Sequence, residues 1–376
     1  MNKDVLSVLF KSQLADFIVR EELGFELAGQ GEHLWMYVEK SGANTDFIRD
    51  RIVDAFEVKR RDVNYSGKKD RYAQTSQWFS VHLPGTAPQL VDSAQARLAA
   101  QTNEAQVVQA NCHLQKIRRG IHKSNWFEIC LRRPNDMESA EFTNPEQAVR
   151  DRLNNLQAKG FANTFGQQRF GYELQTIDQM LEHLPHVHAA TNPQVTPKKK
   201  KKPPRLTVQQ EWAFSSIRSL LFNQALKQRQ AELKEHWQAP QVGDVMQLAG
   251  SNSCFLWDDP QQESQESITQ RIINQDLFIT GPMFGKVGRG IKPQGLMDEI
   301  ENQIWQNLPE KAQIALTHFQ NHHRRALWCY PESFTVHHWT HADIRLSFRL
   351  GSGSYATSLL SQCFELIETS TIESNT

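Results

Sequence analysis

The sequence predicts an α+β protein: a mixed or antiparallel sheet interrupted by an inserted, largely helical α/β segment. Three observations lead there. Strand-like runs rich in aromatic and β-branched residues crowd roughly the first 150 positions, helical apolar spacing dominates the middle, and strand-like runs return after Pro331. Those last strands need a sheet to join, and the helical middle promises none of its own. The implied division is a first part over residues 1–159, an insertion over 160–330 and a returning part over 331–376. A chain of 376 residues exceeds what one core usually organises, and 39% hydrophobic content is enough to fill two.

The elements follow in order. FIVREE (Phe17 to Glu22) and HLWMYVEK (His33 to Lys40) read as two strands of a hairpin. Asn44 and Thr45 cap an amphipathic helix whose apolar positions Ile48, Ile52 and Phe56 share one face. Strands follow at Gln77 to Leu83, Ala105 to Leu114 and Asn125 to Arg133. Pro145 opens a helix that Gly160 closes, since proline suits a first helical turn and glycine the position just past the last. Helical spacing then runs through TVQQEWAFSSIRSLLFNQALKQRQAEL, ESITQRIINQ, GLMDEIENQIWQNL and EKAQIALTHFQ. FTVHHW (Phe334 to Trp339) and IRLSFRL (Ile344 to Leu350) are strands, followed by a helix capped by Ser354.

Bulk properties narrow the function. Lys+Arg and Asp+Glu balance at 42 each, so no overall positive field draws in a polyanion, and nucleic-acid affinity has to come from local patches. The N-terminal stretch is broken by Lys3, Asp4, Lys11 and Asp16, and no apolar run is long enough to span a bilayer, which implies a cytoplasmic protein without a membrane partner. Five cysteines, none in a CxxC, read as reduced packing residues. HLPHVH (His183 to His188) is broken by Pro185 and lacks a completing ligand, so no metal is expected. GKVGRGIK (Gly285 to Lys292) lacks phosphate-loop spacing, so no nucleotide cofactor is implied.

The stretch YSGKKDRYAQTSQW (Tyr65 to Trp78) places Asp70 behind two lysines on a glycine turn. Gly67 permits a backbone conformation closed to other residues, and Lys68, Lys69 and Arg71 favour ionised Asp70, a competent nucleophile near neutral pH. By residue types alone, a solvent-exposed charged turn is the better explanation of the stretch, since perturbed carboxylates are the minority of loop carboxylates.

GKKDRYAQTSQW resembles the G-x-K-D-x-x-A-x-T-x-Q-W signature of the TruD-type tRNA pseudouridine synthases, with Gly67, Lys69, Asp70, Ala73, Thr75, Gln77 and Trp78 at matching places. ADFIVREELGFELAGQGEH (Ala15 to His33), NTFGQQRFG (Asn163 to Gly171), RSLLFNQ (Arg218 to Gln224), DVMQLAG (Asp244 to Gly250), TGPMFGK (Thr280 to Lys286) and GSYATSLL (Gly353 to Leu360) also fall in that family's order. The resemblance implies a pseudouridine synthase catalytic domain with an inserted TRUD domain. It further implies an isomerase that converts a uridine of tRNA, at position 13 in the D-arm, to pseudouridine, with Asp70 as the catalytic aspartate and no cofactor. A uridine in folded RNA must be extruded to meet a carboxylate, and then be stacked and hydrogen-bonded. By the resemblance Phe17, Asn125 and Tyr355 contact the substrate, Tyr355 standing where phenylalanine is usual and Gly351 where a proline is expected. Lys11 and Lys69 are the electrostatic partners expected for Asp70.

The tRNA backbone contacts expected are Lys59, Arg60, Arg61, Lys68, Lys116, Arg118, Arg119 and the tract Lys198, Lys199, Lys200, Lys201 and Lys202. That tract lies in a proline-flanked loop at about 196–205 that cannot pack, and it reads either as a solvated mobile loop or as a phosphate-contacting arm. The partner implied is tRNA, not DNA, bound by a monomer. A non-catalytic tRNA-binding or chaperone module on the same scaffold is the alternative, and a glycosidase that releases the base is a rival enzyme.

Overall fold

The computed structural model describes residues 5–134, 145–166, 169–170, 177–185, 205–288 and 290–368. The chain opens with β1 (Leu6–Phe10), β2 (Phe17–Glu22), β3 (His33–Ser41), α1 (Thr45–Phe56), β4 (Val63–Tyr65), β5 (Gln74–His82), α2 (Ala94–Ala99), β6 (Ala105–His113), β7 (Ser124–Arg132) and α3 (Pro145–Lys159). It continues through β8 (Phe161–Ala162), α4 (Ile177–Glu182), α5 (Val208–Leu233), β9 (Asp244–Leu248), β10 (Cys254–Trp257), α6 (Gln265–Ile273), β11 (Leu277–Met283), α7 (Gly295–Gln306), α8 (Glu310–Phe319), β12 (His323–Ala326) and β13 (Trp328–Cys329). It closes with β14 (Glu332–Trp339), β15 (Asp343–Gly351), α9 (Ala356–Leu360) and β16 (Phe364–Glu368). Two compact units result, residues 1–160 with 330–376, and residues 161–329. Gly160, just past α3, takes a φ of 75°, the left-handed conformation that glycine adopts without a steric penalty at a helix end.

The first unit is built on a ten-stranded mixed sheet in the order β14-β15-β7-β2-β5-β3-β6, with β1 joined to β7 and β16 and with β4 joined to β5. β2 runs parallel to β5 and β1 parallel to β16. The returning strands do find this sheet: β15 pairs with β7 from Asp343↔Arg132 to Gly351↔Ser124, and β14 adds outside it. The expected hairpin between β2 and β3 is not formed, because β5 lies between them. The cause is legible in β5, whose seven interior residues Thr75 to Val81 are all buried, as a central strand requires. Leu34, Met36, Val38, Phe79 and Val81 on the sheet pack against Ile48, Ile52 and Phe56 of α1 and Leu98 of α2.

Two capping expectations need correction. Asn44 occupies the N-cap of α1, but its side chain makes no capping hydrogen bond, and the N-cap of α9 is Tyr355, one residue after Ser354. All five cysteines are free thiols; Cys112, Cys130 and Cys363 are buried, Cys254 and Cys329 half-buried.

In the second unit α5 packs with α4, α7 and α8 through Phe214, Ile217, Leu221, Met180, Ile300 and Ala315. The segment is not without a sheet, as its helical spacing had suggested: β10-β9-β11-β12 form a four-stranded antiparallel sheet, and β13 pairs with β8. These strands are short and atypical. β11 contains Pro282, and β12 reads HRRA, a strand of charges whose Arg324 is buried by donating to Glu301 at 2.7 Å and to the Thr280 carbonyl at 2.7 Å. Among the described residues no helix is long and apolar enough to cross a membrane.

Candidate active site

The loop between β4 and β5 carries Asp70, and its backbone is fixed residue by residue. Ser66 is buried; its hydroxyl donates to Glu21 and its carbonyl accepts from the Gly120 N–H at 2.9 Å. The Gln77 amide donates to the Gly67 carbonyl at 3.1 Å and accepts from the Thr45 hydroxyl at 2.8 Å, and that hydroxyl in turn accepts from the Lys69 N–H at 2.9 Å. Lys40 Nζ donates to the Asp70 carbonyl at 2.9 Å, Arg71 Nε to the Gly42 carbonyl at 3.3 Å, and Gly42 N–H to the Ala73 carbonyl at 3.4 Å. Side chains from β3, α1 and β5 thus hold the loop while the Asp70 side chain stays 45% exposed at its crest. A polar group held by a fixed backbone and open to solvent is preorganised to meet a ligand. Gly67 contributes less than its place suggests: it has no positive φ, and a Cβ there meets nothing closer than His122 Cε1 at 3.9 Å, so no special backbone conformation demands glycine.

The charges around Asp70 also differ from those its sequence neighbours imply. Lys68 pairs with Asp46 at 2.8 Å, Lys69 with Glu21 at 3.3 Å, and Arg71 is turned to a carbonyl. The cation on the carboxylate is Lys11, whose Nζ lies 2.9 Å from Asp70 Oδ2. Lys11 follows β1 with φ 58°, and its ammonium sits 4.5 Å from the Phe17 ring centroid and 5.1 Å from that of Phe10. A second lysine, Lys40, was not anticipated. It is 1% exposed, and its ammonium donates to the carbonyls of Ala43 at 2.7 Å and Asp70 at 2.9 Å. Burial pushes its pKa down to about 8, against the pull of the Asp70 charge and with help from Lys69. A sequence signal existed: strand alternation places Lys40 in the phase of Leu34, Met36 and Val38, which face the core.

Beneath the loop lies a buried cluster centred on Glu21. Its carboxylate accepts from the Ser66 hydroxyl, from the Trp78 N–H at 2.8 Å and from Lys69 at 3.3 Å, with His122 Nδ1 3.2 Å away. Burial raises the Glu21 pKa, opposed by Lys69 and the Trp78 N–H. Burial and the Lys69 charge push His122 down to about 4, so its ring is neutral near pH 7. His122 Nε2 is 3.3 Å from the Asn125 Nδ2, and Asn125 Oδ1 is buried with no hydrogen-bond partner among the described residues. Asn125 is the cross-strand neighbour of both Glu21 and Leu350.

The structure therefore connects several of the anticipated residues. Lys11 touches both Asp70 and the Phe17 ring, and Glu21 links Lys69 to His122 and so to Asn125. Phe17 is 3% exposed and packs edge-on against Phe10 at 5.2 Å, so here its ring is a packed surface. Tyr355 is half-buried, and the turn leading to it is tied to the start of β7 by the Ser352 N–H donating to the Lys123 carbonyl at 3.0 Å. Lys116, Arg118 and Arg119 are exposed on the loop that Gly120 ties to Ser66. Lys59, Arg60 and Arg61 are exposed at a turn after α1, where Arg60 pairs with Asp50 at 2.9 Å. Lys198 to Lys202 lie outside the described residues.

The strings shared with the family in the second unit tie that unit together. Asn163 Nδ2 donates to the Ala326 carbonyl at 3.0 Å and its Oδ1 accepts from Arg325 at 2.5 Å, while the Asn223 amide makes two bonds, of 2.9 and 2.8 Å, to the backbone of Phe165. Among the described residues no group of histidine, cysteine or carboxylate side chains is arranged to hold a metal.

Comparison with known proteins agrees with this architecture. The sequence pattern of tRNA pseudouridine synthase D (TruD) matches residues 3–182 and 210–363. The chain is 32% identical to tRNA pseudouridine synthase D of Psychrobacter arcticus, over 98% of this chain and 93% of that protein. It is 33% identical to that of Pseudomonas putida strain GB-1, over 96% of this chain and 92% of the relative. The crystal structure of a Methanosarcina mazei protein assigned as tRNA pseudouridine synthase D superposes with a TM-score of 0.65, covering 98% of this chain and 95% of that one; at 17% identity this likeness speaks for the fold. The chain belongs to the TruD family of tRNA pseudouridine synthases, which are isomerases.

Proposed function

We propose that this enzyme isomerises a flipped-out uridine of tRNA, at position 13 of the D-arm, to pseudouridine, with Asp70 as the reacting carboxylate and without a cofactor. The observation that carries the reading is a half-exposed carboxylate on a loop whose backbone is pinned from three elements and whose charge is met by Lys11 at 2.9 Å. In the reaction the N1–C1′ bond breaks, a C5–C1′ bond forms and the C5 proton is lost to solvent while N1 gains one, so no oxidant or reductant is needed. A carboxylate beside the sugar and base divides this into easier steps by covalent or electrostatic help. Lys11 pairs with the Asp70 carboxylate at 2.9 Å, and Asn125 Oδ1, which has no hydrogen-bond partner among the described residues, offers an acceptor to an N–H of the base edge.

In this reading the unit formed by residues 1–160 and 330–376 is the catalytic domain, and residues 161–329 are an inserted domain that serves substrate binding. Lys116, Arg118 and Arg119 are backbone contacts beside the loop, the enzyme acts as a monomer in the cytoplasm, and the tract Lys198 to Lys202 adds capture of phosphates. Mapping pseudouridine in tRNA incubated with wild-type protein and with Asp70→Asn tests the reading: product at a single D-arm uridine with the first and none with the second supports it. Binding without product from wild-type protein would favour a tRNA-binding module, and release of free uracil a glycosidase.

A further inference from the structure

We propose that Lys40 is a positioning residue for Asp70, clamping the Asp70 backbone to the head of α1 and holding a fixed positive charge behind the carboxylate. This rests on the reading of Asp70 as the reacting group. The geometry comes first. Lys40 ends the inward-facing row of β3, is 1% exposed, and bridges two carbonyls, Ala43 at 2.7 Å and Asp70 at 2.9 Å. Two carbonyls need donors but not a charge. A buried ammonium is costly to desolvate, and a neutral donor would satisfy them at lower cost. What a neutral donor could not do is act through charge on the Asp70 carboxylate, whose own charge pulls the Lys40 pKa up against the effect of burial.

Lys40 also differs from Lys11 in its direction of approach. Lys11 bonds Oδ2 itself, on a carboxylate that is 45% exposed, so an arriving substrate must share or displace that contact. Lys40 reaches Asp70 through its main chain and leaves the carboxylate oxygens free for the substrate. Its cross-strand neighbours, Thr75 on β5 and Ala105 on β6, carry no charge, and the charged groups acting on it are Asp70 and Lys69, both from the loop. With its pKa brought down to about 8, the ammonium is present below that pH and lost above it.

The test is single-turnover kinetics on unmodified tRNA across pH 6.5 to 9.5, alongside tRNA binding, for wild-type protein, Lys40→Met, Lys40→Arg and Asp70→Asn. The expected result is a wild-type rate that declines through about pH 8, and a Lys40→Met rate about 100-fold lower with affinity kept within about threefold and no such decline. Lys40→Arg, charged throughout this range, should recover part of the rate and also lose the decline. If Lys40→Met does not fold, Lys40→Gln, which keeps a donor without charge, takes its place; if neither folds, the wild-type profile decides. A wild-type rate that stays level to pH 9.5, or a neutral variant within threefold of wild type, overturns the proposal. Asp70→Asn separates the two readings: if it is inactive while Lys40→Met is active, only the role of Lys40 fails, and if it is active the reading of Asp70 fails first.

Discussion

Each unit contains an aspartate paired with a basic residue, and the two pairs sit in opposite surroundings. In the inserted unit Arg229 and Asp244 are 0% and 1% exposed, joined by two bonds of 2.7 and 2.9 Å. Further bonds tie the pair in: Arg229 also donates to the carbonyls of Trp237 and Ala239, and Asp244 accepts from the Gln241 N–H. In the other unit Asp70 is 45% exposed, and among the described residues the ion pair of its carboxylate is with Lys11. The first pair is a closed fastening between α5 and β9. The second is open on one partner: Lys11 is 10% exposed but Asp70 is 45% exposed, so water can solvate the carboxylate and its oxygens stay within reach of another partner. Ion pairing by itself therefore does not separate fold from function; the unspent hydrogen-bonding capacity of the partners does.

The largest stability effect should come from breaking the closed pair. Arg229→Met leaves Asp244 buried and unpaired and should cost about 3–5 kcal/mol, read from urea unfolding followed by circular dichroism. A loss below about 1 kcal/mol would mean that this pair, too, is dispensable.

Next comes the cluster under Asp70, which shares the burial of the first pair and the location of the second. His122 is held near 4 in the fold against an ordinary value of 6.5. Its folded pKa is depressed, so the stability it contributes is full above pH 6.5 and is lost as pH falls through 4; the span corresponds to about 3 kcal/mol. Glu21, raised by burial, works in the opposite sense, since it takes up a proton in the fold more readily than in the unfolded chain as pH falls. Comparing unfolding of wild-type and His122→Gln protein between pH 7 and 4 isolates the histidine: the variant should lose less stability on acidification, and identical slopes would contradict the assignment.

Smaller still is the stability effect at the open pair. Lys11→Met should change unfolding by less than about 1 kcal/mol while lowering pseudouridine formation at least about tenfold. A variant that unfolds far more easily, with its remaining folded fraction fully active, would put Lys11 with the structural pairs. Gly67→Ala marks the bottom of the scale, within about 0.5 kcal/mol of wild type, because neither φ nor space requires glycine there. A loss above about 1 kcal/mol would contradict this and show that the free loop requires glycine at this position.

How much of this could be read in the chain depends on whether the signal was local. The strands Phe17–Glu22 and Ser124–Arg132 and the helix Thr45–Phe56 show in their own apolar pattern. The placement of β5 between β2 and β3 does not, although the strand itself does, because which strands become neighbours is settled by burial across the whole sheet. β1, with four of its five residues buried and no alternation, and β12, a strand of arginines, carry no strand signature at all. Asp70 was legible because its surrounding string is specific. Its cations were legible in part: Lys11 was expected through the family resemblance, but Lys68 and Lys69 stand beside Asp70 in sequence yet serve Asp46 and Glu21, and Lys40 arrives from β3 with no local sign of its partner. Glu21 and His122 look like ordinary polar residues until folding brings them to one buried point.

The decisive comparison is between Asp70→Asn and wild-type protein, measuring pseudouridine in D-arm uridines of tRNA together with tRNA affinity and unfolding. The amide keeps the shape of the side chain and removes its charge and nucleophilicity. Product should disappear, while affinity stays within about tenfold, about 1.4 kcal/mol, and stability within about 1 kcal/mol. Turnover near the wild-type rate from a folded Asp70→Asn protein would contradict the role given to this carboxylate.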